Sequence, residues 1–331
     1  MKNHLYPTLL LVVAGLLTSL TAVATITPES LGYPAQVEPL ITSTWGQRAP
    51  YNYMCPLVET APWSGYDPAS EHCRAGCVAV AIAQIMRYHR WPLHGEGTAS
   101  VTYPLLSNNA HEFSVDFGDA TYDYDAMLDN YTEGGYNEQE GRAVAQLIYH
   151  CAVASGMIFG QSASATTNFA TAQALSQHFN YDSCQIKTVI RYAYTEREWM
   201  DMVYRELTNG RPIFYEAIDF SLTHGSYAHS FIIDGYRADG YIHVNWGWNG
   251  LQDDYYDISL LNPDGYRFNF YQDMTIGIQS PQPELNAIIT HSHEDLGDAT
   301  DHVYTLDGRH ISQRPLPPGL YLRQGRKFVV R

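Results

Sequence analysis

The chain has 331 residues with 19 basic and 35 acidic side chains, a formal charge of −16. That balance excludes nucleic acid as the expected partner, since phosphate binding needs clustered Lys and Arg, and a hydrophobic share of 45% excludes wholesale disorder. Only 16% of residues are charged, so much of the polar surface falls to Ser, Thr, Asn, Gln and the 26 tyrosines, which fits an extracellular enzyme. The five cysteines are too few for a disulfide scaffold, and their odd number leaves at least one thiol unpaired.

In chain order, residues 1–24 read as a secretory signal peptide. Lys2 is followed by the apolar run Leu9 to Leu20, and Ala22-Val23-Ala24 is an A-x-A cleavage site. The run is short for a bilayer span of about 20 residues, so no integral membrane segment is expected after its removal. Residues 25–280 form one unit. Val78, Ile82, Ile85, Met86 and His89 recur at helical spacing, and Pro92 stops them, which predicts a helix over Ala75–His89. Further helices are predicted over Gly141–Val153, Phe169–Phe179 and Glu196–Leu207. After Gly210-Arg211-Pro212 the pattern turns to strands at Ile213–Ala217, His229–Asp234, Tyr241–Trp246 and Tyr255–Ser259. Helices first and antiparallel strands second make an α+β fold, not a doubly wound sheet. Residues 281–297 read as a linker, and 298–331 as a short β appendage too small to bury a core alone.

Gly76-Cys77 stands at the start of the first helix. A thiol there meets the positive end of the helix dipole and unsatisfied N–H groups, both of which lower its pKa. A small buried cysteine under the helix is the plainer alternative. What favours chemistry is a second site. His229 to Asp234 and Tyr241 to Trp246 read as a hairpin through Ala238-Asp239-Gly240. Pairing symmetric about residue 237 sets His229 opposite Asn245, so the amide would hold the imidazole in one tautomer. A Cys, a His and an orienting Asn are the parts of thiol-based acyl transfer, which needs no cofactor.

Elsewhere the bland readings lead. His72, His89, His94, His150, His224 and His243 do not have metal-ligand spacing. Asp116, Asp119, Asp123 and Asp125 lack the Gly and closing Glu of an EF-hand. Cys151 reads as a buried free thiol, Cys55 and Cys73 are candidates for a disulfide, and Cys184 has no evident partner.

Four separated stretches resemble one family in the right order. Gly76-Cys77-Val78-Ala79 through His89, with Trp91-Pro92, is similar to the nucleophile helix of the streptopain family of papain-like cysteine peptidases. Trp45-Gly46-Gln47, Pro50-Tyr51-Asn52 and Cys55-Pro56 resemble that family's opening motif. His229-Ser230-Phe231-Ile232-Ile233-Asp234-Gly235 and His243-Val244-Asn245-Trp246-Gly247-Trp248 resemble its histidine and Asn-Trp-Gly-Trp motifs. Leu261-Asn262-Pro263 and Gly277-Ile278 fit its closing strands. The resemblance implies a papain-like fold, with a helical part carrying the nucleophile and an antiparallel β part carrying the histidine.

It also implies roles. Cys77 is the expected nucleophile and His229 the base, then acid. Gln47 is the expected oxyanion donor beside the Cys77 N–H. Asn245 or Trp246 would orient and shield His229, while Ser164 and Ala228 would border the substrate. Substrates are then proteins or peptides, with a hydrophobic residue preferred two positions before the cut bond. Two departures stand beside the histidine: the family commonly has Gly and Ala where this chain has Ala228 and Ser230. The loop from Asp219 to Tyr227 is longer than expected. The 20 residues between Ala24 and Trp45 leave no room for a large prodomain, so latency would need a short segment or a separate inhibitor. Two rivals stay open: amidase or transglutaminase-type transfer on the same scaffold, and a binding protein with a closed cleft. Val303-Tyr304-Thr305-Leu306-Asp307-Gly308-Arg309 and Gly319-Leu320-Tyr321 are similar to C-terminal sorting segments on exported proteins of Gram-negative bacteria. The expected location is therefore secreted, at the cell surface or in the periplasm of such a bacterium; a plain hairpin packed on the catalytic unit is the alternative.

Overall fold

The computed structural model describes residues 25–58, 71–103, 111–166, 169–220, 227–281, 303–305, 310–311, 318–323 and 326–330. The expected signal peptide, most of the linker and the middle of the Asp219–Tyr227 loop lie outside the described residues.

The first predicted helix forms as α1, Cys77–His89, with Gly76 as its N-cap residue. Val78 through Met86 are all buried, so α1 is packed on every side and not along one stripe. A two-stranded hairpin follows, β1 (Thr98–Tyr103) against β2 (His111–Asp116), which the sequence pattern did not predict. Helix α2 runs Glu138–Ala154, three residues earlier than expected. The reason is a capping box: Glu140 N–H donates to the Asn137 side chain at 3.0 Å, and Glu140 accepts from Asn137 N–H at 2.7 Å. Helix α3 spans Ala170–His178.

Strand β3 (Lys187–Ile190) precedes α4 (Glu196–Thr208), which opens on a second capping box, Thr195 with Glu198. Then come β4 (Ile213–Asp219), β5 (Tyr227–Tyr236), β6 (Ile242–Asn245), β7 (Asp254–Tyr256) and β8 (Phe270–Ile276). They form one antiparallel sheet in the order β3-β8-β4-β5-β6-β7. The strand expected over Tyr255–Ser259 ends at Tyr256. Leu261 to Pro263 is a turn, with Leu261 at φ 40° and a 3₁₀ turn over Pro263–Gly265. Gly277-Ile278 lies just past β8 and is not a strand.

The two faces of this sheet bury different cores. Phe214 and Ile232 pack with α1 and α2; Tyr215, Phe231, Ile233 and Trp246 pack with Trp199, Val203 and Tyr204 of α4. The alternation along β4 and β5 sends successive side chains to opposite faces. The C-terminal stretch forms a four-stranded antiparallel sheet ordered β10-β9-β11-β12, made of β9 (Val303–Thr305), β10 (His310–Ile311), β11 (Gly319–Arg323) and β12 (Arg326–Val330). Among the described residues no helix is long and apolar enough to cross a membrane.

Candidate active site

Gly76 has φ 92°, a left-handed value, and a Cβ there would lie 2.6 Å from the Met157 methyl. Both facts require glycine. The turn places Cys77 as the first helical residue, partly exposed. The dipole argument predicts a lowered thiol pKa; the balance goes the other way. Burial raises it, and the Glu216 carboxylate adds to the rise. Hydrogen bonding from the Ser230 N–H and hydroxyl and from the Val78 backbone opposes both.

Gln47 reaches this corner through its backbone: Ala75 N–H donates to Gln47 C=O at 3.1 Å, two residues before Cys77. Ser164 is also adjacent, with its Cβ 3.4 Å from where a Gly76 Cβ would stand. Its hydroxyl, however, donates to Arg74 C=O at 2.6 Å and accepts from Gly160 N–H at 3.0 Å. The residue is buried, and its hydroxyl pins the wall behind Cys77. Ala228 is exposed at the start of β5.

His229 stands opposite Ala217 and is fully buried. Its ring is stacked with Trp248 (centroids 4.8 Å), Tyr227 (6.0 Å), Phe231 (6.1 Å) and Trp246 (6.2 Å), with Phe268 tilted at 5.6 Å. Nε2 lies 2.8 Å from the Trp246 carbonyl oxygen. A carbonyl only accepts, so Nε2 carries the hydrogen and Nδ1 the lone pair. Burial pushes the imidazole pKa down to about 4, against the opposing pull of that carbonyl. Nδ1 has no hydrogen-bond partner among the described residues. It is the ring atom left for a thiol proton, and such bonds often close only with substrate bound.

The expected Asn245–His229 pairing is corrected. Asn245 stands opposite Ile232, because the hairpin turns two residues later than assumed and β5 carries a bulge at Asp234. Gly240 makes the turn at φ 89°, closed by Arg237 N–H to Tyr241 C=O at 2.9 Å. Buried Asp234 fixes the bulge from both sides, accepting Ile41 N–H at 2.9 Å and pairing with His243 Nδ1 at 2.6 Å. Asn245 therefore faces α1. Its oxygen accepts from Gln84 Nε2 and Gly247 N–H, both at 3.1 Å, and its nitrogen donates to Ser43 C=O at 2.8 Å. Gln84 also accepts from Trp45 N–H and the Ser43 hydroxyl. The orienting group on His229 is thus the Trp246 backbone. Asn245 holds that backbone from before, and Asp253 Oδ1 holds it from the side, accepting Trp246 N–H at 2.8 Å.

The helix that opens on Cys77 is thus joined through Gln84 to an Asn-Trp-Gly-Trp loop that caps His229. The chain belongs to the Peptidase C10 family. The family model matches residues 45–256, from the opening Trp45 to the end of β7. A thiol protease/hemagglutinin of Porphyromonas gingivalis, PrtT, is 30% identical over 253 residues, 74% of this chain and 27% of that protein. Streptopain of Streptococcus pyogenes is 28% identical over 248 residues, 71% of this chain and 60% of that protein. The chain thus spans about a quarter to three fifths of the length of these relatives. Among solved structures, active wild-type interpain A cysteine protease of Prevotella intermedia is 39% identical with a TM-score of 0.70, covering 77% of this chain and 100% of that one. A prointerpain A fragment matches at 38% and a TM-score of 0.66, covering 78% of this chain and 77% of that one. The C10 fold is papain-like, with the helix that opens on Cys77 on one face of the antiparallel sheet.

Three residues around this C10 site were not singled out from sequence. Gln84 lies seven residues after Cys77, two turns along α1, the one polar side chain in its buried run. Glu216 interrupts an apolar strand, and Asp253 follows a turn. A polar residue inside an apolar run was the available signal. Cys55 and Cys73 are both buried free thiols, which corrects the candidate disulfide; Cys151 is buried, its Sγ 3.6 Å from Met86 Sδ.

Proposed function

We propose that the protein is an exported cysteine endopeptidase acting on protein substrates. His229 Nδ1 takes the Cys77 proton, and the thiolate attacks the peptide carbonyl. The Gln47 side chain and the Cys77 N–H receive the developing oxyanion. His229 then gives its proton to the leaving amine, and water releases the acyl group. The observation that carries this reading is the fixed tautomer: the Trp246 carbonyl holds Nε2–H and leaves Nδ1 basic. Membership of the C10 family supports peptidase over other acyl transfer. Residues 1–24 serve as signal peptide, and the β9–β12 segment as an attachment or sorting segment at the cell surface of a Gram-negative bacterium.

The test uses the full chain with a casein substrate and an epoxide thiol reagent. Hydrolysis with one equivalent of label on Cys77, both lost in Cys77→Ala, is the expected result. Labelling without hydrolysis would favour a closed-cleft binding protein, and transfer to added amines in place of hydrolysis would favour the transferase reading.

A further inference from the structure

His229 and Ser230 are neighbours on β5, so their side chains leave opposite faces of the sheet. His229 joins the aromatic face. Ser230 joins the face that α1 covers, where it stands in register opposite Glu216 of β4. The Ser230 hydroxyl donates to Glu216 Oε2 at 2.9 Å, and the two residues are 3% and 6% exposed. The same hydroxyl bears on the Cys77 thiol, as does the Glu216 charge. A buried carboxylate and a hydroxyl beside a nucleophile, on a face otherwise set by Phe214 and Ile232, need a reason.

A hydroxyl has one hydrogen to give and two lone pairs to offer. It cannot donate to a carboxylate and to a thiolate at once. We propose that Ser230 is a two-way hydroxyl between Glu216 and Cys77, donating to Glu216 when that carboxylate is ionised and to the Cys77 thiolate when Glu216 is neutral. In the first state the hydroxyl offers the thiol only lone pairs, the Glu216 charge stands nearby, and the backbone N–H groups of Ser230 and Val78 alone favour the thiolate, so the S–H form is held. In the second the carboxylic acid O–H donates to Ser230 Oγ, whose own hydrogen turns to the sulfur. Thiolate formation and Glu216 ionisation then oppose each other, so the thiol ionises more readily wherever Glu216 is neutral.

Burial raises the Glu216 pKa above its usual range, against the pull of the Ser230 bond, so the switch falls above ordinary carboxylate titration. The other groups near this trio are Tyr227 on β5, on which both Cys77 and Arg74 before α1 bear, and buried Asp273, opposite Glu216 on β8. The first turn of α1 adds no acidic group.

The proposal rests on Cys77 as nucleophile, but its readout needs no turnover. Alkylation of Cys77 by iodoacetamide is followed by peptide mass on the full chain between pH 5 and pH 9. Glu216→Gln keeps the shape and fixes the neutral hydrogen-bond pattern. It should gain roughly tenfold in rate at pH 8 and change little at pH 5. Ser230→Ala removes the donor and should lose roughly tenfold at pH 5 while matching wild type at pH 8. Should Glu216→Gln fail to fold, the acid-side loss in Ser230→Ala still decides. Profiles that coincide with wild type overturn the switch. So does a Glu216→Gln gain that persists undiminished in the Ser230→Ala background, because Glu216 would then act by charge alone. Coincident profiles beside an inactive Cys77→Ala remove the switch and leave the nucleophile assignment standing; an active Cys77→Ala removes the assignment itself.

Discussion

On one face of the central sheet Cys77 meets Ser230 and Glu216, and two turns along α1 Gln84 meets Asn245. On the other face His229 meets five aromatic rings and a single carbonyl. The first face carries polar groups inside apolar packing and bonds them to one another. The second admits almost none. Yet burial acts on Cys77 and His229 in the same sense, against charge: the thiol pKa rises and the imidazole falls to about 4. Neither face alone makes a charged nucleophile. The thiolate–imidazolium pair proposed here must draw its stability from the two faces meeting at the end of β5.

The strongest way to break this comparison is to empty one face at a time. Cys77→Ala and His229→Ala should each lower kcat by roughly 10⁴–10⁶, and the double variant should be little worse than either. Additive losses in peptide hydrolysis would show that the two faces act separately. A smaller effect is expected at the oxyanion. Gln47→Ala should lower kcat by about 10²–10³ with KM nearly unchanged. A change confined to KM would move Gln47 to a pocket wall.

The link between the faces gives a third test. Asn245→Ala leaves the Gln84 amide, Ser43 C=O and Gly247 N–H short of a partner, each costing about 1–3 kcal/mol if unsatisfied. Thermal stability should drop clearly, and kcat should fall by about tenfold as the Trp246 carbonyl drifts. Gln84→Ala should reproduce much of the kcat loss without touching β6. If Asn245 worked by direct contact with His229, Gln84→Ala would be silent in kinetics.

The residues proposed to react could be picked out because they sit in short local patterns. Gly76-Cys77 opens a helix whose Ala-rich run and Pro92 stop are plain, and Trp45-Gly46-Gln47 precedes it. The pairing of Asn245 was not legible. It depends on a bulge at Asp234 held by Ile41 from far upstream, which no hairpin rule contains. Strand β8 was hidden for a related reason: buried Gln272 breaks the apolar pattern and is satisfied by Ile258 C=O and Phe268 C=O. Glu216 in β4 reads as an error of patterning until Ser230 is seen beside it. Long-range satisfaction of polar groups decided each of these, and spacing along the chain does not carry it.

The smallest expected effect separates stability from chemistry on the aromatic face. Asp253 Oδ1 accepts Trp246 N–H at 2.8 Å, while burial lifts its carboxyl pKa to about 6, against the pull of that bond and of nearby His243. An unfolded aspartate titrates near 3.9. The folded protein therefore holds the proton more tightly than the unfolded chain. Ionisation of Asp253 erodes stability as pH rises from about 4 to about 6, and the cost is fully present above that window. Asp253→Asn cannot ionise but keeps an oxygen for the Trp246 N–H. Its Tm should match wild type near pH 4 and exceed it at pH 7 to 8, with kcat within a few-fold. Asp253→Ala loses the acceptor, so it should lower kcat more than Asp253→Asn does, because the Trp246 carbonyl then holds Nε2–H less firmly. A Tm difference independent of pH would remove the ionisation argument. Equal kcat in the two variants would show that the backbone of the aromatic face needs no brace beyond Asn245.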